Sequence, residues 1–121
     1  MRALDGISLR LSGGQFVSIV GPSGAGKSTL LHLLGALDSP GSGSITFDGD
    51  EIGRLTDAQQ SEFRHHRVGL IFQFFNLLPS LSCLENVALP LHLQGWSRKK
   101  TQDRARELLE LVKLSARMDH L

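Results

Sequence analysis

Apolar and polar residues alternate over residues 3–11, with Ile7, Leu9 and Leu11 on one face and Ser8 and Arg10 on the other. A period of two predicts a half-exposed strand of an antiparallel pair, turning at 12–15 and returning as the apolar run 16–20. The period then lengthens: Leu30, Leu31, Leu33, Leu34 and Leu37 predict a helix from 27 to about 37. Pro40 and the glycines around it make 38–43 a loop, and a strand at 44–47 leads into an Asp48-Gly49 turn, a hairpin signal. Thr56 with Gln59 forms a capping box for a polar helix to about His65, and 68–72 is a compact apolar strand. Residues 76–81 are a loop around Pro79. A second box, Ser82 with Glu85, starts a helix through Leu91 or Leu93 that Pro90 should kink or shorten. After a break at 94–96, Ser97 caps a charged helix from Arg98 to about Leu114, its buried stripe formed by Ala105, Leu108, Leu109 and Val112. Residues 115–121 carry no stop signal, and no repeat or low-complexity tract interrupts the chain.

One junction carries chemistry. Between the strand 16–20 and the helix from 27 lies Gly21, Pro22, Ser23, Gly24, Ala25, Gly26, Lys27, Ser28 and Thr29, which fits G-x-x-x-x-G-K-[ST] at Gly21, Gly26, Lys27 and Ser28. A loop that wraps phosphates must aim successive N–H groups inward, and glycine lets the backbone approach closely. Lys27 supplies a flexible cation for the terminal phosphates, and the Ser28 hydroxyl is placed to ligate Mg²⁺. The following helix adds the partial positive charge of its N-terminus. Strand, glycine-rich turn and helix in that order predict a binding site for a nucleoside triphosphate with Mg²⁺. Gln73 follows the strand 68–72 at its C-terminal end, where open α/β sheets place ligand-contacting groups.

Bulk properties narrow the class. With 121 residues, 40% hydrophobic and 21% charged, the chain suits one globular domain. A net charge of +1 gives no field to draw it to nucleic acid or anionic lipid. The single cysteine, Cys83, excludes an internal disulfide and fits a reducing compartment. No leader pattern and no apolar run of membrane-spanning length appear, so a cytoplasmic protein that meets the membrane through a partner is expected.

With the loop placed, the residues around it show a resemblance. Leu4-Asp-Gly-Ile-Ser-Leu, the Gly-Gly-Gln turn, the phosphate loop, Ser-Gly-Ser-Ile-Thr-Phe-Asp-Gly and Val-Gly-Leu-Ile-Phe-Gln are similar to the ATP-binding cassette (ABC) domain of transporters, over essentially the whole chain. Leu-Leu-His-Leu-Leu-Gly-Ala-Leu-Asp, Phe-Gln-Phe-Phe-Asn-Leu-Leu-Pro and Glu-Asn-Val-Ala-Leu-Pro-Leu resemble the lipoprotein-releasing, macrolide-exporter and cell-division ATPases within it. The resemblance implies an α/β P-loop NTPase fold, present as a partial domain with antiparallel strands, parallel core strands and the start of an α-helical subdomain. Residues 1–73 would hold the strands, the Walker A loop and the Q-loop, and 74–121 would begin the helical subdomain. It implies that Lys27 holds the β- and γ-phosphates, that Ser28 holds Mg²⁺, and that the amides of residues 24–28 with Thr29 line the α- and β-phosphates. Gln73 would approach Mg²⁺ and the attacking water; its amide oxygen can ligate a metal and release it at little cost. Residues from about 74 to 96 would receive a transmembrane permease, Phe74, Phe75, Leu77 and Leu78 giving an apolar surface. The implied assembly is a homodimer of ATPase subunits, peripheral on the cytoplasmic face of the plasma (inner) membrane and driving export or lipoprotein extraction.

The departures shape the expectation. An adenine-stacking aromatic ahead of the first strand, the downstream signature motif, the Walker B acidic strand end with its catalytic glutamate, and the switch histidine have no counterparts here. The chain therefore reads as roughly the N-terminal half of the domain, not expected to turn over ATP unaided. The pentapeptide Leu11-Ser-Gly-Gly-Gln15 spells the signature motif, yet a strand pattern follows it, so it reads as a hairpin turn. His65-His66, Asp48, Asp50, Cys83 and the basic run 98–100 read as helix end, turn, packed thiol and solvated surface. Two alternative functions remain open: a cassette ATPase without a transporter, and a non-catalytic nucleotide-binding remnant. A kinase or GTPase would carry a base-reading motif such as Asn-Lys-x-Asp, which is absent.

Overall fold

Signals that act over three or four residues become elements in the computed structural model, which describes residues 4–121. The order is α1 (Lys27–Leu34), β1 (Thr46–Phe47), β2 (Asp50–Glu51), α2 (Asp57–Arg67), α3 (Cys83–Leu93) and α4 (Arg98–Leu111), with 3₁₀ turns at Ile52–Arg54 and Ser115–Arg117. The chain divides into two compact units, one up to Leu70 and one from Ile71 to Leu121.

In the first unit β1 and β2 pair antiparallel, Thr46 opposite Glu51 and Phe47 opposite Asp50. Asp48 and Gly49 turn the hairpin with φ of 49° and 92°, positive values at both central positions, as the right-handed strand twist requires. Helix α2 opens on the expected box: the Gln59 N–H donates to the Thr56 hydroxyl and the Thr56 N–H to the Gln59 side chain. It packs on the hairpin through Phe63, whose ring meets Phe47 edge-on at 5.2 Å, and through Arg67, which lies over Phe47 and pairs with Asp48. Among the described residues of this unit the buried side chains are Ile52, Ala36 and Gln60.

The strands expected at 3–11, 16–20 and 68–72 are not formed among the described residues, and residue 3 lies outside them; the parallel core strands are therefore absent as ladders. A strand is defined by bonds to a neighbouring backbone, and among the described residues only β1 and β2 supply that neighbour to each other. The side chains behave accordingly. Phe16 is 98% exposed and Val20 89%, while Ile19 between them is half-buried. The turn between the first two segments does form: the Gln15 N–H reaches the Ser12 carbonyl at 3.3 Å, and the Ser12 N–H reaches the Gln15 side chain at 2.8 Å. The signature-like pentapeptide thus sits in a turn, not at the start of a helix.

In the second unit α3 and α4 pack through Leu84, Ala88, Ala105 and Leu109, with Cys83, Val87 and Met118 against them. Thr101 completes the buried face of α4, its hydroxyl bonded to the Ser97 carbonyl at 2.7 Å. The stripe is therefore Thr101, Ala105 and Leu109 at i, i+4 and i+8, with Leu108 half-buried; Val112 is exposed, against expectation. Helix α4 stops at Leu111, short of 114, because Lys113 turns left-handed (φ 61°) and the Leu114 N–H bonds back to the Leu109 carbonyl. Ser97 holds the N-cap position, but its hydroxyl makes no capping bond. Pro90 lies inside α3 without ending it; the helix runs a further turn to Leu93.

The N-terminus of α3 is held twice. The chain returns after α4, so that the carbonyls of His120 and Met118 take the N–H groups of Cys83 and Leu84, at 2.8 and 2.9 Å. The Ser82–Glu85 box forms as expected. The Ser82 N–H donating to the Glu85 carboxylate at 2.9 Å holds that acid below its usual pKa. A lowered folded pKa means support that is complete above the unfolded carboxylate value and lost as pH falls through the folded one. Amide exchange at the start of α3, corrected for intrinsic pH dependence, should rise as pH drops below about 4. The Glu85→Gln variant, which keeps an acceptor without a titrating group, should flatten that rise; an unchanged rise would refute the cause. Helix α2, boxed by neutral Gln59, should show no such dependence.

Candidate phosphate-binding site

Residues 21–28 form a turn running into α1, exposed over 21–25 and half-buried at Gly26 and Lys27. Its path needs two left-handed residues, Gly24 at φ 79° and Gly26 at φ 84°. A side chain at either would strain the backbone, so glycine is required by conformation. The G-x-x-x-x-G pattern fixes Gly26 but leaves Gly24 free; the structure shows that both are needed. The Ala25 N–H closes the turn on the Pro22 carbonyl at 3.3 Å. Gly26 is the N-cap of α1 and has no side chain to spend on the first turn, which also carries no acidic residue. The leading N–H groups of α1 thus face the loop without a side-chain cap, the arrangement that accepts an anion.

Lys27 folds into this turn. Its Nζ donates to the carbonyls of Gly21 at 2.8 Å and Pro22 at 2.6 Å. An ammonium has three donors, so one remains for an incoming oxygen while the other two tie the loop to the helix. Ser28 is exposed on the first turn beside it, and Thr29 is half-buried. The structure brings together Gly21, Pro22, Ser23, Gly24, Ala25, Gly26, Lys27, Ser28 and Thr29 as one loop and helix start. For Mg²⁺ the donor type fits: a hydroxyl is a hard oxygen ligand, and Mg²⁺ takes few protein ligands beside phosphate oxygens and water. Among the described residues no three His, Cys, Asp or Glu side chains gather as a metal site. Asp48 is a turn residue paired with Arg67, and His66 pairs with Glu62 within α2.

Gln73 belongs to the second unit and is exposed. After it come Phe74 and Phe75, 75% and 90% exposed, then Leu77 and Leu78, also exposed. This segment is held by a contact that no local spacing announces. The Asn86 side chain accepts the Leu78 N–H at 2.8 Å and donates to the carbonyls of Leu78, Leu81 and Ser82 at 3.0–3.1 Å. One amide thereby pairs with Leu78 as a neighbouring strand would. The only trace in the sequence is an asparagine facing back from the first turn of a boxed helix.

Residues 4–121 match the ABC transporter family. An ABC transporter ATP-binding protein of Thermotoga maritima is 47% identical over 120 residues, covering 99% of this chain and 51% of that protein. The lipoprotein-releasing system ATP-binding protein LolD of Geobacter metallireducens is 48% identical over 117 residues, covering 97% of this chain and 52% of LolD. The ATP-binding cassette MJ0796, solved as a dimer in a post-hydrolysis state with ADP and Pi, superposes with a TM-score of 0.90 at 39% identity, over 98% of this chain and 53% of MJ0796. The chain spans about half the length of the curated relatives it matches. The fold class is that of the cassette ATPases, even where the ladders of its core strands are not formed here.

Proposed function

Because this chain belongs to the ABC transporter family, we propose that it supplies the triphosphate-gripping part of a transport ATPase. The observation that carries the reading is Lys27 folded into the turn of Gly24 and Gly26 at an uncapped helix start. The amides of residues 24–28 would line the α- and β-phosphates with Thr29, Lys27 would meet the β- and γ-phosphates, and Ser28 would hold Mg²⁺. Mg²⁺, when bound, neutralises charge on the phosphates. Gln73 is proposed, from the resemblance, to position Mg²⁺ and the attacking water. No step of hydrolysis beyond phosphate binding and orientation is assigned to residues of this chain.

In the whole protein the reading is of ATP binding and hydrolysis coupled to export or lipoprotein extraction. Residues 1–73 are taken as the nucleotide-binding portion and 74–121 as the start of the helical subdomain. Two ATPase subunits would pair, and a transmembrane permease would dock near residues 74–96, placing the subunit on the cytoplasmic face of the inner membrane. Exposed Phe74 and Phe75 support a docked partner, since aromatic pairs in open solvent are commonly part of an interface. Among the described residues no helix is long and apolar enough to cross a membrane.

Calorimetric titration of Mg·ATP tests the reading. Binding heat with one nucleotide per chain is expected. No heat from material with intact helical circular dichroism would overturn it.

A further inference from the structure

We propose that Arg64 and Gln60 of α2 are positioning residues for the phosphate loop, acting on it through the far end of α1. The inference rests on the reading of that loop as a triphosphate site.

Helix α1 ends in a tight reversal. The Leu37 N–H bonds to the His32 carbonyl at 2.8 Å and the Ala36 N–H to the Leu33 carbonyl at 3.1 Å, with Ala36 left-handed at φ 51°. That position ordinarily takes glycine, because a Cβ is strained there. The glycine stands one residue earlier, at Gly35, for a different reason: a Cβ on it would lie 3.1 Å from a Leu70 methyl and 3.2 Å from the Leu31 carbonyl. Close approach of Leu70 thus crowds any side chain at 35, and alanine carries the strained turn.

Something must hold Ala36 there, and α2 does. Arg64 Nη1 donates to the Ala36 carbonyl, and Gln60 Nε2 donates to the Ser39 hydroxyl at 2.9 Å. Ala36 and Gln60 are both buried. Four residues apart, Gln60 and Arg64 share one helix face, and together they grip the chain where it leaves α1. The other contacts of α2, Phe63 on Phe47 and Arg67 on Asp48, anchor it to the hairpin. Helix α2 is therefore a strut between the hairpin and the exit of α1.

The entry of α1 is the phosphate loop. A helix of this length spans about 12 Å and is stiff along its axis. Fixing its exit sets where Lys27 and Ser28 stand at its entry. Recognition that depends on fixed geometry is sensitive to displacements of about 1 Å. Arg64 touches no ligand; it acts through α1.

The test compares wild type, Arg64→Met, Arg64→Lys and Thr56→Ala, the last loosening α2 without touching the grip. Melting midpoint, amide exchange at Ala36 and Leu37, and the dissociation constant for Mg·ATP are measured on each. Arg64→Met should exchange about tenfold faster at Ala36 and Leu37 and bind Mg·ATP about three- to tenfold more weakly. Arg64→Lys should recover part of both, and Thr56→Ala, at a comparable midpoint, should bind as wild type does. Binding by Arg64→Met within twofold of wild type, or equal weakening in Thr56→Ala, overturns the positioning role while leaving the nucleotide reading intact. Failure of wild type itself to bind Mg·ATP overturns the nucleotide reading and this inference with it.

Discussion

Replacing Lys27 with alanine should weaken Mg·ATP binding by about 10- to 100-fold, the loss expected when a charge-assisted contact to phosphate is removed. Stability should change far less. The two bonds from Lys27 Nζ to the Gly21 and Pro22 carbonyls lie at an exposed loop, so water can replace the donor, at a cost of less than about 1 kcal/mol. The two effects separate a ligand-facing lysine from a merely structural one: titration calorimetry should show the lost affinity while the melting midpoint stays near wild type. Lys27→Arg should not rescue. A guanidinium is a planar fork, and the narrow turn between the Gly21 and Pro22 carbonyls suits a compact point charge. Raising the salt concentration should weaken wild-type binding more steeply than that of Lys27→Ala, because the ammonium is the loop's cationic side chain. A Lys27→Ala protein that binds Mg·ATP as tightly as wild type would remove the central support for the proposed function.

What the sequence made legible was local. The phosphate loop could be read because glycine at 26 and lysine at 27 meet a conformational and a chemical demand at once. The boxes at Thr56 and Ser82 span four residues, and the Asp48-Gly49 turn two, so nothing distant could override them. Non-local pairings were not legible. The alternation in 7–11 and the apolar run 16–20 say which side chains suit a sheet, but no ladder partner for them stands among the described residues. Helix ends at Ala36 and Lys113 were hidden for another reason. Both use the left-handed reversal that glycine usually announces, and neither is glycine. The Arg64 and Asn86 contacts join a side chain to a carbonyl whose position depends on the fold, and no spacing rule reports that. In α4 the stripe was legible in period but shifted in phase, since Thr101 can be buried once its hydroxyl bonds the Ser97 carbonyl.

That phase makes Leu109 the side chain on which the second unit depends most. Its partners across the interface are Leu84 and Ala88, and beside it on α4 Ala105 is wholly buried. Small residues at 88 and 105 let the helices approach closely, which leaves Leu84 and Leu109 as the large groups filling the contact. Leu109→Ala removes buried carbons and leaves a cavity that alanine neighbours cannot refill, a cost of about 2–4 kcal/mol. A unit of this size holds a total stability of about 3–7 kcal/mol, so the substitution takes much of it. The bonds from Cys83 and Leu84 to the returning carbonyls of His120 and Met118 depend on the same packing, with Met118 lying against the cluster. They should be lost together with it. Amide exchange in α3, α4 and at Cys83 and Leu84 should therefore rise as one group, by about 30-fold or more, in Leu109→Ala. The control is Val112→Ala, one turn further on but exposed, which should change exchange little. Equal effects of the two substitutions would show that the buried face of α4 had been assigned to the wrong phase.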